Sequence, residues 1–256
     1  MKISIASDLH LDIWRMRYQD EKVMSYFKSK LDREVLILAG DIGEFKCFRE
    51  HYFLKFFNLI SDMFKEVILI KGNHELYRNY WNLDENIREF YSNWSNFHYL
   101  EKDVFSYEGK TFIGTTLWSD MSNTSKQDQE SIELFGLNDY RYIHKGHNKK
   151  IKCKDTHSEF LKSCEFLKES ILPGSIVITH HLPSFLSINK QFENDPLNVC
   201  YASSLDDLIL EKKPAYWVSG HTHLPVDYIL GETRMLGNPL GYPGELLKWD
   251  LIEIDI

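Results

Sequence analysis

Histidine, aspartate and asparagine residues occur in this chain at five separate places, each at the end of an apolar run. In chain order the places are Asp8-Leu9-His10, Gly40-Asp41, Gly72-Asn73-His74-Glu75, His180-His181 and Gly220-His221-Thr222-His223. Imidazole and carboxylate groups in combination suit Mn, Fe or Zn better than Ca or Mg. The pattern therefore predicts a metal site assembled from distant parts of the chain.

Each place has an ordinary explanation when it is taken alone. Asp41 and Asn73 are residue types that favour turns, and the glycine before each permits a sharp turn or a close backbone approach. Glu75 either orients a neighbouring group or lies at the surface where a helix begins. His181 is expected to be structural or to support a ligand. The five places are informative together, because coincidence in this order would be rare.

The apolar runs before these places are typical of buried strands. They span residues 1–6, 34–39, 66–70, 175–179 and 215–219. Ligands of α/β proteins bind outside the carboxyl ends of the strands, so one sheet arrangement would bring all five places to a single crevice. Residues i and i+2 of extended backbone point the same way, which pairs Asp8 with His10 and His221 with His223.

The remaining elements predict an α/β fold in which these strands alternate with helices. Apolar residues at helical spacing predict helices at 20–32, 48–64, 83–94, 156–171 and 203–210. Residues 104–117 are typical of a hairpin that turns near Glu108–Gly109, and 226–256 is strand-like with turns at Gly231 and around 238–244. We expect residues 1–256 to form one domain in which the polar segment 119–155 is a lid or insertion.

Composition excludes several classes of protein. The chain has 256 residues, a formal charge of −8 and 43% hydrophobic residues, which is too apolar for a disordered protein. The negative charge argues against a protein that coats DNA. The four cysteines include no C-x-x-C pair, and no apolar run is long enough to span a membrane. The first residues do not form a signal peptide, so we expect a cytoplasmic protein.

The order D-x-H, G-D, G-N-H-E, H and G-H-x-H resembles the signature of the calcineurin-like metallophosphoesterase superfamily. The resemblance implies a four-layer sandwich in which helices flank two mixed β-sheets, with a dinuclear metal site at the strand ends. It implies one cation on Asp8, His10 and His223, a second on Asn73, His180 and His221, and Asp41 bridging the two. It places His74 beside the substrate as the catalytic residue.

This resemblance implies metal-dependent hydrolysis of a phosphate ester. Two divalent cations about 3.5–4 Å apart hold a bridging hydroxide and clamp the phosphoryl oxygens. His74 would stabilise the developing charge or give a proton to the leaving oxygen. Mn is the expected metal, with Fe and Zn as alternatives, because the ligand set is tolerant.

The motifs favour a phosphodiester slightly over a monoester. The phosphoprotein phosphatases of this superfamily carry G-D-x-V-D-R-G, whereas this chain has Gly40-Asp41-Ile42-Gly43-Glu44-Phe45 and lacks the arginine. The Asp-Leu-His-Leu and Gly-His-Thr-His motifs are similar to those of smaller bacterial and phage phosphoesterases. The alternatives are a phosphomonoesterase on small metabolites or phosphoproteins, and a nuclease.

Residues 144–154 contain five lysines and two histidines, which would steer a nucleotide or nucleic acid or form a solvated loop. Four residues are candidate substrate contacts by position: Arg141 and His144 from the segment 119–155, and Arg234 and Asn238 after the last metal motif. The alternative of another class is a non-catalytic scaffold, for which Tyr77, Tyr80 and Trp81 would be a partner surface. The presence of His74 and of every metal-ligand position argues against it.

Overall fold

The computed structural model describes residues 1–28, 34–245 and 248–256. Its strands are β1 (Lys2–Ala6), β2 (Val35–Ala39), β3 (Glu66–Ile70), β4 (Phe97–Tyr99), β5 (Asp103–Tyr107), β6 (Lys110–Thr115), β7 (His144–Gly146), β8 (Lys149–Lys150), β9 (Ile176–Thr179), β10 (Tyr216–Val218), β11 (Val226–Leu230), β12 (Thr233–Gly237) and β13 (Ile252–Asp255). Its α-helices are α1 (Leu11–Met16), α2 (Asp20–Lys28), α3 (His51–Met63), α4 (Asp84–Tyr91), α5 (Lys126–Ser131), α6 (Asp139–Tyr142), α7 (Cys153–Ser170) and α8 (Asp206–Lys212). In the described residues, no helix is both long and apolar enough to cross a bilayer.

Two mixed sheets dominate the structure. The first has the order β13-β1-β2-β3-β4, in which β13 is antiparallel and the other strands are parallel. The second has the order β11-β12-β10-β9-β6-β5, in which the two edge strands are antiparallel. Because the central strands of each sheet are parallel, their carboxyl ends meet at one edge, where ligands collect.

The alternation of side chains in the strands explains the layered packing. In β2, Ile37 packs between the sheets against an aliphatic core that includes Ile178 of β9. Leu36 and Leu38 point to the opposite face, where aromatic residues of α3 such as Phe53 cover the sheet. Strands buried on both faces read as continuous apolar runs, which is why β2 and β3 were identifiable from the sequence. The predicted fold of two mixed sheets between helices is confirmed.

The predicted helices and strands agree with the structure, except that some begin or end at other residues. The helix expected over 48–64 begins at His51, after a short 3-10 turn at Phe45–Cys47. The helix expected over 20–32 is described to Lys28, and its remainder lies outside the described residues. The strand β4, with three residues, and the helix α1, with six, were not predicted. Elements this short do not show a clear periodicity of apolar residues. The segment 119–155 contains α5, a π-helical turn at Ile132–Gly136, α6 and the β7–β8 hairpin.

A buried ion-pair network ties the two sheets together beside the strand ends. Lys71, which follows β3, donates to Glu101 Oε2 over 2.9 Å. The same carboxylate accepts from the Thr116 hydroxyl at 2.6 Å and from the Thr116 amide at 3.0 Å, just after β6. Burial alone would raise the pKa of Glu101, but the ammonium groups of Lys71 and Lys102 hold that pKa well below its usual range.

We expect Glu101→Gln to lower the free energy of unfolding by about 2 kcal/mol at neutral pH, because it removes one of the two carboxylates, Glu101 and Asp84, that pair with buried Lys71. A carboxylate with a depressed pKa stabilises the fold above its unfolded pKa and loses that contribution as the pH falls. The difference between wild type and variant should therefore shrink from about pH 5 to about pH 3. Urea unfolding across this range measures it.

Asp103→Asn is the control, because Asp103 pairs with Arg88 at the surface. Exposed pairs of this kind contribute about 1 kcal/mol or less. A Glu101→Gln effect that is equally large at every pH would contradict the assigned ionisation.

Candidate metal centre and adjoining cavity

The predicted ligands follow the carboxyl ends of five parallel strands, three in the first sheet and two in the second. They come together in three overlapping groups whose ligand atoms lie within 4.8 Å of one another: Asp8, His10 and His223; His10, Asp41 and His74; and Asp41, His180 and His221. Two of these groups hold residues that the resemblance assigns to separate cations, and the third joins Asp41 with His10 and His74. The structure thus brings all the predicted histidine and carboxylate ligands into one cluster between the sheets.

Asp41 occupies the centre of the cluster and is buried. Its Oδ2 lies 3.4 Å from His180 Nε2 and 3.8 Å from His10 Nε2. Its Oδ1 accepts a hydrogen bond from the His74 backbone amide at 2.8 Å. One carboxylate oxygen is therefore shared between the two sides of the cluster.

The atoms around His180 are of the types that bind a metal. His180 Nδ1 donates to the Ala39 carbonyl at 2.9 Å, so its Nε2 points at Asn73 Oδ1, 3.0 Å away. The Asn73 amide cannot be reversed, because its Nδ2 donates to Asp139 Oδ1 at 2.8 Å and to the Tyr77 hydroxyl at 3.2 Å. An imidazolium at His180 would donate to Asn73 Oδ1, whereas a neutral His180 would place two electron-rich atoms side by side, as in the ligand set of a metal.

The charge balance leads to the same conclusion. Burial opposes an imidazolium at His180, yet the nearby Asp41 carboxylate raises the pKa of His180 to about 10. The protein alone thus favours a positive charge at this position. A divalent cation would supply that charge and leave the imidazole neutral, as a ligand must be.

Other imidazoles in the cluster also have nitrogens directed toward it. His223 Nδ1 donates to Glu245 Oε2 at 2.7 Å, which leaves its Nε2 facing His10 Nε2 at 2.9 Å. In the described part of the chain, His221 Nε2 and His10 Nδ1 are buried without a hydrogen-bond partner. Buried polar atoms are normally paired, so the orphaned His221 nitrogen is accounted for if a metal binds there. The residues present therefore fit a bound metal.

The backbone at the ligands is not extended, so the predicted reason for their pairing is wrong. Asp8, His10, His221 and His223 have φ values of 51°, 42°, 74° and 53°. These are left-handed conformations, which cost non-glycine residues energy and concentrate at functional sites. His221 and His223 consequently join different groups of ligands. Asp8 holds one of these turns, because its carboxylate accepts the His221 amide at 2.9 Å.

Glu75 is buried and braces two ligand loops. Its carboxylate accepts the backbone amides of Ile42 at 2.7 Å, Gly72 at 2.7 Å and Asp41 at 3.1 Å. The surface alternative for Glu75 is therefore wrong, and its contact is with the loops rather than with His74. His181 is also buried; it packs its ring 4.2 Å from that of His221.

His74 lies at the edge of the cluster with aromatic neighbours. Its ring stacks on Tyr77 with centroids 4.1 Å apart, and its Nε2 lies 3.3 Å from the Tyr242 hydroxyl. Tyr77 is buried in this contact, so it does not form part of a partner surface. Trp81 also packs inward, against Trp118.

The groups that hold the ligands in place were not predicted from the sequence. Asp139 comes from the segment 119–155 and fixes the Asn73 amide. Glu245 fixes the His223 imidazole, as carboxylates commonly do for metal-binding histidines. Tyr242 covers His10 and His223 with ring centroids 4.6 Å from each. No local motif marks these residues, because each acts on a partner far away in the chain.

Glycine at position 72 is required by close packing. A β-carbon there would collide with Asp41 Oδ1 and would lie 2.7 Å from His180 Nε2. We expect Gly72→Ala to fold but to lose at least tenfold in metal affinity. Mutation of residues that only hydrogen-bond to metal ligands already lowers metal affinity by about 10–100-fold. Metal titration of the purified variant measures this loss.

Gly146→Ala is the matched control, because a β-carbon at Gly146 meets nothing within 4 Å. Unchanged metal affinity in Gly72→Ala would show that the loops of Asp41 and His180 are free to separate, contrary to the packing described here.

The four predicted substrate contacts do not line the cavity beside the cluster. Arg234 forms a two-pronged ion pair with Asp227 on the neighbouring strand. Asn238 is buried and donates to the carbonyls of Ile5 and Asp250. Arg141 donates to the Leu134 carbonyl, and His144 lies 2.7 Å from Lys150 Nζ. These contacts give the four residues structural partners and no support as substrate contacts.

A cavity of about 410 Å³ opens directly onto the cluster. Asp41, Asn73, His74, His221 and His223 form its floor. Residues 136–139 of the segment 119–155 contribute to one wall. Further lining residues lie between Ile188 and Tyr201. A cavity of this size accepts a small organic group attached to a phosphate.

Comparison with known proteins identifies the class to which this fold and site belong. The sequence model of the family Metallophos, calcineurin-like phosphoesterase, matches residues 1–225. The uncharacterized protein L509 of Acanthamoeba polyphaga mimivirus is 31% identical over 265 residues, which cover 94% of this chain and 91% of that protein. The protein is a hydrolase that acts on phosphate esters. It belongs to the calcineurin-like phosphoesterase family.

Solved structures share the fold at low sequence identity. The phosphopantetheinyl hydrolase PptH of Mycobacterium tuberculosis aligns with a TM-score of 0.73 and 16% identity, over 99% of this chain and 95% of that one. TT1561 of Thermus thermophilus aligns with a TM-score of 0.53 and 14% identity, over 94% and 89% of the two chains. The family assignment and the predicted fold are thus confirmed together.

Proposed function

We propose that this protein hydrolyses a phosphodiester with two divalent cations bound in the cluster. The observation that carries the proposal is the set of overlapping ligand groups around Asp41, with the His180 imidazole and the Asn73 amide oxygen directed at each other. Asp8, His10 and His223 would hold one cation, and Asn73, His180 and His221 the other, with Asp41 shared. When bound, the cations would activate water and neutralise charge on the phosphoryl oxygens.

The protein's own groups have separate tasks in this reaction. Asp139 and Tyr77 orient Asn73, and Glu245 orients His223, so that the ligand atoms are in place before substrate arrives. His74 reaches the cavity and lies 4.0 Å from Asp41 Oδ2 at its Nε2. It is positioned to donate a hydrogen bond to a phosphoryl oxygen and a proton to the leaving oxygen.

The charge of the cavity supports a diester over a monoester. A phosphomonoester carries a charge of about −1.5 to −2 at pH 7, whereas a diester carries a single negative charge. Lysine and arginine are absent from the cavity lining in the described residues, so little besides the cations would balance the second charge. Manganese as the resident metal remains a prediction from the donor set. A cytoplasmic location also remains a prediction.

The test compares initial rates on 4-nitrophenyl phosphodiesters and on 4-nitrophenyl phosphate, after the purified protein is stripped of metal and loaded with Mn²⁺. We expect faster diester hydrolysis, which stops when a chelator is added. A preference for the monoester would overturn the diester assignment but keep the metal centre. Hydrolysis that is indifferent to chelation would overturn the metal-dependent mechanism.

A further inference from the structure

The cavity wall beyond the ligand cluster contains an apolar patch among polar residues. Leu137, Ile188, Phe192, Leu197 and Leu224 line it. The two walls meet where Gly136 approaches Leu197, because a β-carbon on Gly136 would lie 3.3 Å from the Leu197 side chain. Burial of an organic group against such side chains favours binding. A hydrated anion would lose water there and find no hydrogen-bond donor on these side chains.

The charged residues of the cavity are acidic. Asp139 and Asp195 line it together with the carboxylates of the cluster, whereas no lysine or arginine lines it in the described residues. Lys190 is near in sequence, but it is exposed and does not line the cavity. Proteins that bind polyanions use several lysine or arginine contacts to phosphates. A second phosphate entering this cavity would meet carboxylates instead.

We infer that the substrate joins one phosphate to an uncharged, partly apolar organic group, and that the cavity discriminates against substrates that carry a further phosphate. Phe192 and Asp195 are the specificity-determining residues for these two properties. The inference rests on the proposed function, because it assumes that the phosphate is held at the ligand cluster.

A matched pair of substrates tests the charge discrimination. Thymidine 5′-(4-nitrophenyl phosphate) and its 3′-phosphorylated form differ only by the additional phosphate. We expect kcat/KM to be at least about tenfold lower for the 3′-phosphorylated form at low salt, since like charges in contact oppose binding. Equal or higher kcat/KM for that form would overturn the inference.

Asp195→Asn should reduce this discrimination by about twofold or more at low salt, because it removes one of the carboxylates. Asn keeps the hydrogen bond that Asp195 Oδ1 accepts from the Leu197 amide at 2.8 Å, so the turn at Pro196–Cys200 is preserved. Glu193→Gln removes a nearby exposed charge outside the cavity and should leave the discrimination unchanged. Identical behaviour of the two variants would contradict the role of Asp195.

Binding of non-hydrolysable phosphonates tests the apolar wall without turnover. We expect phenylphosphonate to bind the Mn²⁺-loaded protein at least about fivefold more tightly than methylphosphonate, as burial of a ring predicts. Phe192→Ala should abolish most of that difference, whereas Phe185→Ala, an exposed phenylalanine outside the cavity, should not. Equal affinity of the two phosphonates for wild type would overturn the apolar site.

The two proposals fail in different ways. If no ester is hydrolysed although phenylphosphonate is preferred, the proposed reaction fails and the binding cavity stands. If the diesters are hydrolysed with equal kcat/KM whatever their charge and apolar group, the reaction stands and the inferred substrate class fails.

Discussion

Asp41→Asn should reduce kcat/KM by about three orders of magnitude, because metal coordination contributes several kcal/mol to such reactions and each 1.36 kcal/mol is tenfold in rate. The change removes a charge from the oxygen that lies 3.4 Å from His180 and 3.8 Å from His10. It should weaken the binding of both cations at once, because Asp41 belongs to both sides of the cluster. Metal titration and kinetics on the same preparation measure the two effects.

Asp227→Asn is the control for a general loss of acidic charge, since Asp227 pairs with Arg234 on an exposed edge strand. It should leave both metal binding and rate near those of wild type. Full metal occupancy with wild-type turnover in Asp41→Asn would refute the shared-ligand role. Loss of only one cation would assign Asp41 to one side of the cluster.

His74→Gln is expected to separate catalysis from metal binding. Loss of a positioned acid–base group typically costs about 10²–10⁴-fold in rate. The metal stoichiometry should not change, because the ligands assigned here to the two cations exclude His74. The fold should also persist, because Gln keeps the backbone amide that donates to Asp41 Oδ1. Single-turnover kinetics with metal analysis distinguish a slow chemical step from lost metal.

His144→Gln provides the histidine control, because its ring pairs with Lys150 and stands outside the cavity lining. We expect wild-type kinetics from it. If His74→Gln were fully active, His74 would be reduced to a packing residue against Tyr77. If it instead lost one cation, His74 would be a metal ligand and the division of the cluster would need revision.

The strands and the ligand types could be predicted because both are local features of the sequence. Buried strands such as β2 read as continuous apolar runs, and five ligand-bearing turns in this order after such runs would rarely arise by coincidence. Gly40 illustrates this: its φ of +86° and its close approach to His180 are what a glycine before a ligand suggests. Strands that are buried on both faces must lie inside a covered sheet, which places their carboxyl ends, and the ligands that follow them, at a common edge.

The parts of the site that were not predicted depend on packing between residues far apart in the chain, which no local sequence pattern indicates. The left-handed turns at Asp8 and His221 are stabilised by contact with each other, across more than two hundred residues of chain. Asp139 and Glu245 are ordinary acidic residues until the fold places them against Asn73 and His223. Arg234 was chosen for its nearness to a motif in sequence, and the structure pairs it with Asp227 on the neighbouring strand.

The most direct test of the metal centre is the number of cations bound per chain. Metal-free protein titrated with Mn²⁺ in a calorimeter should bind two equivalents, and phosphodiester hydrolysis should rise with their occupancy. The Asp41→Asn variant, titrated alongside, should bind Mn²⁺ more weakly at both cation sites. The expected result is two equivalents with matching activity. No binding at the cluster, or full activity in the metal-free protein, would contradict it.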